Sequence, residues 1–246
     1  MILDELAATS RARVAAAKTA NYDFAAALAA PGLSVIAEIK RASPSRGIID
    51  ESFPYLDIAE EYALAGAAAI SVLTEPTRFL GDDRHLRDIA DSVAKPCLRK
   101  DFTVDEYQIY EASTLRASAI LLICALLTDG ELTRFRELAE SLGMAALVEA
   151  HTDAEVRRAV DSGAKIIGIN NRDLKTFDVD FAHAEKLRDL IPPNVLYVAE
   201  SGFSDPSQGK ILRGLRADAV LIGEALMRSA DRASFIAEIR RTYDEN

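Results

Sequence analysis

Residues 161–169, DSGAKIIGI, run from a polar helical end through Gly163 into an unbroken apolar stretch. The same order recurs in LAGAAAISVL (64–73), LRASAILLI (115–123) and LRADAVLIG (215–223). A glycine or other small residue suits the point where a helix must stop. An apolar run without polar alternation suits a strand covered on both faces, as in a parallel sheet. Each stretch therefore reads as a helix feeding a parallel strand. Four further candidate strands lie between them: SVIAEIK (34–40), KPCLRK (95–100), MAALVEA (144–150) and VLYVAES (195–201). Their ends recur every 21 to 35 residues, room for one helix and two short loops per unit.

Helical patterns such as FPYLDIAEEYALAG, VDEYQIYEASTLR, ELTRFRELAESLG and DAEVRRAVDSG fill the intervals. Asp105, Asp129 and Asp153 stand near three helix starts, where a carboxylate complements the helix dipole. Eight strands alternating with helices, and no linker-like or low-complexity segment, predict an α/β fold. It is a single (β/α)8 TIM barrel over 1–246, with 1–33 as an Ala-rich N-terminal helical extension. That extension would either plug the barrel bottom or cap its active mouth. An open doubly wound sheet is disfavoured because no GxGxxG or P-loop follows the first strand. GFSDPSQGK (202–210) only imitates a P-loop, with Ser204 in place of the first Gly and Ile211 in place of the Ser/Thr.

The 246 residues carry a net charge of −10, which argues against a nucleic-acid or anionic-membrane partner. A hydrophobic share of 49% beside 28% charged residues is that of a folded globular chain. The longest apolar run, Ala117 to Leu127, is too short for the roughly 20 residues of a membrane helix. Asp4 and Glu5 stand where a secretory signal would be basic, so no export is expected. The two cysteines, Cys97 and Cys124, lie in apolar stretches, and a reducing cytoplasm is expected. His85, His151 and His183 have no metal-ligand spacing, so no metal is expected and surface or packing roles fit them better.

Chemistry in such a barrel sits at the C-terminal strand ends. Glu38 and Lys40 are two apart and so share one face; Lys100 ends the third strand, Glu149 the fifth, Asn170 and Asn171 the sixth, and Glu200 the seventh. Burying three carboxylates and two ammoniums without purpose would cost several kcal/mol per unpaired charge. Lys40, Arg41 and Arg46 flank a Ser-Pro-Ser turn, and Gly202 and Gly223 follow the seventh and eighth strands, where barrels bind phosphate through backbone N–H groups. A phosphorylated small molecule is the expected ligand.

The motifs EIKRASPSRG (38–47), LRKDF (98–102), LVEAHT (147–152), IGINNRDL (167–174), ESG (200–202) and LIGEALM (221–227), in this order, resemble the indole-3-glycerol phosphate synthase family of tryptophan biosynthesis. The resemblance covers nearly the whole chain. It implies ring closure of 1-(2-carboxyphenylamino)-1-deoxyribulose 5-phosphate with loss of CO2 and water, by acid–base chemistry with no cofactor. It implies Lys100 as general acid, Glu149 as base or acid of the dehydration, Glu38 assisting, and Lys40 binding phosphate and steering Lys100. Asn170, Arg172 and Glu200 would position the substrate. Ser43, Ser45, Phe79, Phe102 and Leu121 would line its pocket, with Ser201, Gly202, Gly223 and Glu224 at the phosphate end. Association with other enzymes of that pathway is left open. Two departures touch packing: Ala199 precedes Glu200 where a hydroxyl residue is expected, and LRAS (115–118) lacks a glycine. A Schiff-base aldolase, which also uses a strand-end lysine, is the nearest rival, and a non-catalytic phosphate-binding barrel the more distant one.

Overall fold

A computed structural model describes residues 22–44, 46–172 and 181–245, together with 2, 4 and 6–9. The eight barrel strands are β1 (Ser34–Ile39), β2 (Ala69–Leu73), β3 (Cys97–Lys100), β4 (Ala119–Ile123), β5 (Ala145–Ala150), β6 (Ile166–Asn170), β7 (Leu196–Glu200) and β8 (Ala219–Ile222), apart from a short antiparallel ribbon of Ala42–Ser43 and Gly47–Ile48. All eight pair in parallel, each with its chain neighbours, and β8 pairs with β1 to close the barrel. Closure leaves no unpaired edge. The helices are α1 (Phe24–Leu28), α2 (Tyr55–Leu64), α3 (Asp83–Ser92), α4 (Glu106–Thr114), α5 (Asp129–Ser141), α6 (Asp153–Asp161), α7 (Phe181–Arg188), α8 (Gly209–Gly214), α9 (Glu224–Arg228) and α10 (Arg232–Asp244). No helix among the described residues is long and apolar enough to cross a membrane.

Strand faces alternate between two separate apolar layers. One face, with Val35, Ile70, Leu122 and Val148, packs under the helices, while Ile36, Leu98, Leu147 and Val198 fill the barrel interior. Both faces being covered explains why the strands read as continuous apolar runs. Ala69, Ala119 and Ala219 begin their strands and belong to the inner layer, and Phe24 and Leu28 of α1 join the same layer. Small residues at the amino end thus leave room for two large side chains from α1. The Ser34 hydroxyl fixes the helix there, lying 3.2 Å from the carbonyl oxygens of both Ala27 and Leu28. Residues 22–33 are therefore a plug; the middle of the predicted extension, 10–21, lies outside the described residues.

Helix starts follow the sequence closely. Asp105 caps α4 in a reciprocal pair with Gln108, whereas Asp129 and Asp153 are first helical residues behind the capping Thr128 and Thr152. The turn into β4, which lacks a glycine, places Arg116 itself at a φ of +65°, where the corresponding turn into β6 uses Gly163 at +80°. Arg216 does the same before β8, at +54°. Ala199, where a hydroxyl was expected, is fully buried in the layer under the helices and faces away from the barrel mouth. Both departures are thus packing solutions.

Candidate active site

The carboxyl ends of the strands open into a cavity of about 1070 Å³. Period-two alternation sends Glu38, Lys100, Glu149, Asn170 and Glu200 inward, one layer above the apolar floor of Leu121 and Leu221. Register keeps them level: Glu200 pairs with Asn170 across β6–β7, and Glu149 with Ile123 across β4–β5. Every described residue that the family resemblance assigned to the site lines this cavity: Glu38, Lys40, Ser43, Phe79, Lys100, Phe102, Leu121, Glu149, Asn170, Arg172, Glu200, Ser201, Gly202, Gly223 and Glu224; Asn171 and Arg41, also singled out by the sequence, do not. Ser45, and the segment 173–180 at the end of the sixth-strand motif, lie outside the described residues.

Lys100 is the hub. Its Nζ stands 3.8 Å from Glu149 Oε2 and 3.9 Å from Glu200 Oε2. Burial disfavours its charge, yet Glu149, Glu200 and Glu38 outweigh that penalty and hold the ammonium above the ordinary lysine range. Lys40 Nζ pairs with Glu38 Oε1 at 2.7 Å. Burial pushes the Glu38 carboxyl up, but the charges of Lys40 and Lys100 prevail and its pKa falls below the usual value. Glu200 goes the other way: burial first, then the neighbouring Glu149, push it well above the carboxylate range against the pull of Lys100. Two carboxyls therefore flank one ammonium, with Glu200 biased toward the neutral acid. Asn170 Nδ2 donates to Glu149 Oε1 at 3.3 Å and fixes that side chain from the next strand.

Two glycines make the cluster possible. A Cβ on Gly168 of β6 would collide with Glu200 Oε1, and one on Gly223 would meet Glu38 Oε1 and come within 2.7 Å of Lys40 Nζ. Beyond β7, Ser201 and Gly202 take φ of +65° and +89°, turning the chain sharply over the mouth. Asn171 holds that turn, donating through Nδ2 to the carbonyls of Glu200 (2.8 Å) and Ser201 (3.1 Å). Phe79 and Phe102 meet above the cavity with ring centroids 6.3 Å apart.

The basic loop after β1 is only partly as expected. Lys40 points into the cavity, but Arg41, next along the chain, turns out and donates to the Glu51 carbonyl at 3.3 Å. Arg46 lines the cavity and pairs with Glu224 at 3.3 Å.

The indole-3-glycerol phosphate synthase family model matches residues 4–239. The chain belongs to that family. A synthase of that name from Ruminiclostridium cellulolyticum is 47% identical, with 98% of this chain and 99% of the relative covered. Its namesake from Lacticaseibacillus casei is 50% identical over the same shares. A thiamine phosphate pyrophosphorylase structure from Pyrococcus furiosus superimposes with a TM-score of 0.64 at 15% identity, covering 85% of this chain and 95% of that one, a likeness of fold alone.

In this indole-3-glycerol phosphate synthase family member several contributing residues escaped sequence reading. Gly168 reads as an ordinary strand residue, since only the path of the Glu200 side chain reveals why it has no Cβ. Arg78, from a loop, and Arg228, from the end of α9, line the cavity outside every motif. His151, read as a surface or packing residue, approaches Glu149; His85 does pack, 4.5 Å from Tyr55 and 5.2 Å from Phe53 between ring centroids.

Proposed function

We propose that this chain is a carboxy-lyase that converts 1-(2-carboxyphenylamino)-1-deoxyribulose 5-phosphate into indole-3-glycerol phosphate, CO2 and water. The observation that carries the reading is Lys100, an ammonium kept charged by carboxyls at the centre of an open cavity. Attack of the ring carbon on the ketone puts negative charge on oxygen, and a charged lysine supplies the proton at that atom. The resulting ring cation is the electron sink for loss of CO2. Dehydration then needs a base at the carbon adjacent to the alcohol and an acid at the departing hydroxyl. Glu149, fixed by Asn170, suits the first task, with Lys100 or the protonated Glu200 for the second.

The phosphate is assigned to Lys40 and the Gly202 and Gly223 turns, with Ser201 and Glu224 beside them; Glu38 holds the Lys40 ammonium in place. Arg172 and Glu200 are assigned to the polar substrate groups. Phe79, Phe102, Leu121 and Ser43 are assigned to the walls for the aryl ring and ribulose chain, together with Ser45, which lies outside the described residues. All of this sits on one barrel domain, with 1–33 as its extension. Cys97 and Cys124 are free, with thiols pushed up to about 12 by burial, which suits a reducing cytoplasm. A Schiff-base aldolase fits less well, since its lysine must be neutral to attack, and the surroundings of Lys100 favour the charged form.

The test is turnover of the carboxyphenylamino-deoxyribulose phosphate, followed by indole fluorescence in a chain that contains no Trp. Lys100→Ala and Glu149→Gln should each cut kcat by about 10²–10⁴ with the fold intact by circular dichroism. Near-normal turnover in either variant would remove that residue from its role.

A further inference from the structure

The proposed reaction does not balance its own protons. The ketone oxygen takes up one proton when the carbon–carbon bond forms and a second when it leaves as water. The carboxylate leaves as CO2, its electron pair restoring the aromatic ring, and only one proton returns, from the carbon adjacent to the alcohol. One proton per turnover must therefore enter from solvent to a cluster whose Lys100 and Glu149 side chains are 17% and 5% exposed. Substrate filling the mouth would close the direct route.

We infer that His151, with Glu155 behind it, carries this proton from the outer rim of the barrel to Glu149 and so restores Lys100. The inference rests on the function proposed above. His151 follows β5 by one residue, and its ring lies between two carboxyls. Nε2 is buried, has no hydrogen-bond partner, and stands 3.5 Å from Glu149 Oε1, while Nδ1 stands 3.7 Å from Glu155 Oε2. On the far side of Glu149, Oε2 faces Lys100 at 3.8 Å. The sequence of groups is thus water, Glu155, His151, Glu149, Lys100. An imidazole accepts at one nitrogen and releases from the other, so it needs a proton partner on each side, as here.

The surrounding backbone holds the ring in this position. The His151 N–H donates to Glu155 Oε2 at 2.7 Å, tying strand end to helix start, and His183 Nε2 from α7 reaches the His151 carbonyl at 3.2 Å. Glu155 is 18% exposed in the first turn of α6, outside the ring of residues that line the cavity. Relay distances of 3.5–3.8 Å are longer than hydrogen bonds. Such contacts commonly tighten when substrate binds. Acting through Glu149 and touching no substrate atom, His151 is a positioning residue: it places the proton.

This role separates the first turnover from those that follow. An enzyme that starts with Lys100 charged completes one cycle without the relay, so only repeated cycles depend on it. With enzyme in excess over the carboxyphenylamino-deoxyribulose phosphate, His151→Gln should form indole product within about twofold of the wild-type rate. With substrate in excess, it should show one fast turnover and then a steady rate at least tenfold below wild type, rescued by added imidazole. Glu155→Gln, which leaves the imidazole in place, should show the same pattern more weakly and covers the case in which His151→Gln does not fold. An unchanged steady rate, or equal losses in single and multiple turnover, would overturn the relay. Failure of the wild-type protein to turn over the substrate at all would instead overturn the function on which it rests.

Discussion

Replacing Glu200 by Gln should stabilise this protein, and the gain should grow with pH. Glu200 is 2% exposed, and its folded-state pKa is raised well above the ordinary 4.5, by burial first and by Glu149 second. A carboxyl whose pKa is higher in the folded state than in the unfolded one takes up a proton on folding. Its contribution is fully present below the unfolded value and is lost as pH rises toward the folded value, at up to about 1.4 kcal/mol per pH unit. Gln keeps the shape and carries no titrating proton. Between pH 5 and pH 7 the variant should therefore pull away from the wild type by at most about 3 kcal/mol, or up to roughly 10 °C in Tm for a chain of this size. Lys100 titrates above this window and Glu38, lowered by Lys40 and Lys100, below it, so neither produces the difference. Urea unfolding of both proteins at pH 5, 6, 7 and 8 measures it. Parallel stability curves would mean that Glu200 is ionised in the fold, and the charge distribution argued for the site would be wrong.

Two further substitutions probe what holds the cluster in place. Gly168→Ala puts a methyl against Glu200 Oε1, with Leu147 Cδ1 only 3.3 Å away, so we expect about 1–3 kcal/mol of overpacking and a fall in kcat as the carboxyl is displaced; full activity would show that Glu200 need not lie over β6. Arg99, beside Lys100 but facing outward, donates to Asp83 at 2.8 Å, Glu111 at 2.7 Å and the Gln108 carbonyl at 2.9 Å. Arg99→Met should cost about 2–3 kcal/mol in urea unfolding, less than the roughly 3–5 of a fully buried pair because Asp83 and Glu111 still reach water.

The barrel was legible because its signals are local and repeated. Helix ends, unbroken apolar runs and near-constant spacing each follow from a strand buried on both faces, and the closed parallel sheet has them where the sequence placed them. Candidate site residues were legible for a related reason: polar side chains at the ends of otherwise apolar strands have nowhere to go but the mouth. Alternation also distinguishes Asn170, which enters the cavity, from Asn171, which braces the turn after β7. What alternation cannot supply is the direction of a side chain beyond its Cβ. Gly168 and His151 matter through the paths of Glu200 and Glu149, and Arg41 turns away through the course of a loop. That residues 22–33 plug the barrel was hidden in the same way. It depends on three strand-starting alanines leaving space for Phe24 and Leu28, a complementarity between residues at least 41 positions apart.

Net charge, finally, misleads about ligand preference when it is averaged over the chain. At −10 the protein should repel a phosphorylated carboxylate. The cavity has its own balance: Lys40, Lys100, Arg46, Arg78, Arg172 and Arg228 line it against Glu38, Asp101, Glu149, Glu200 and Glu224. Of those five carboxyls, Glu200 is pushed toward its uncharged form, so the mouth has an excess of positive charge. Low-dielectric walls focus that field while the acidic exterior is screened within about 8–10 Å at physiological salt. The strand-end pairs Lys40–Glu38 and Lys100–Glu149 largely neutralise each other at depth, and the arginines stand around them beyond the strand ends, on loops and on α9. Attraction of an anion thus falls to the rim and proton transfer to the cluster within, a division set by which residues sit at strand ends and which beyond them.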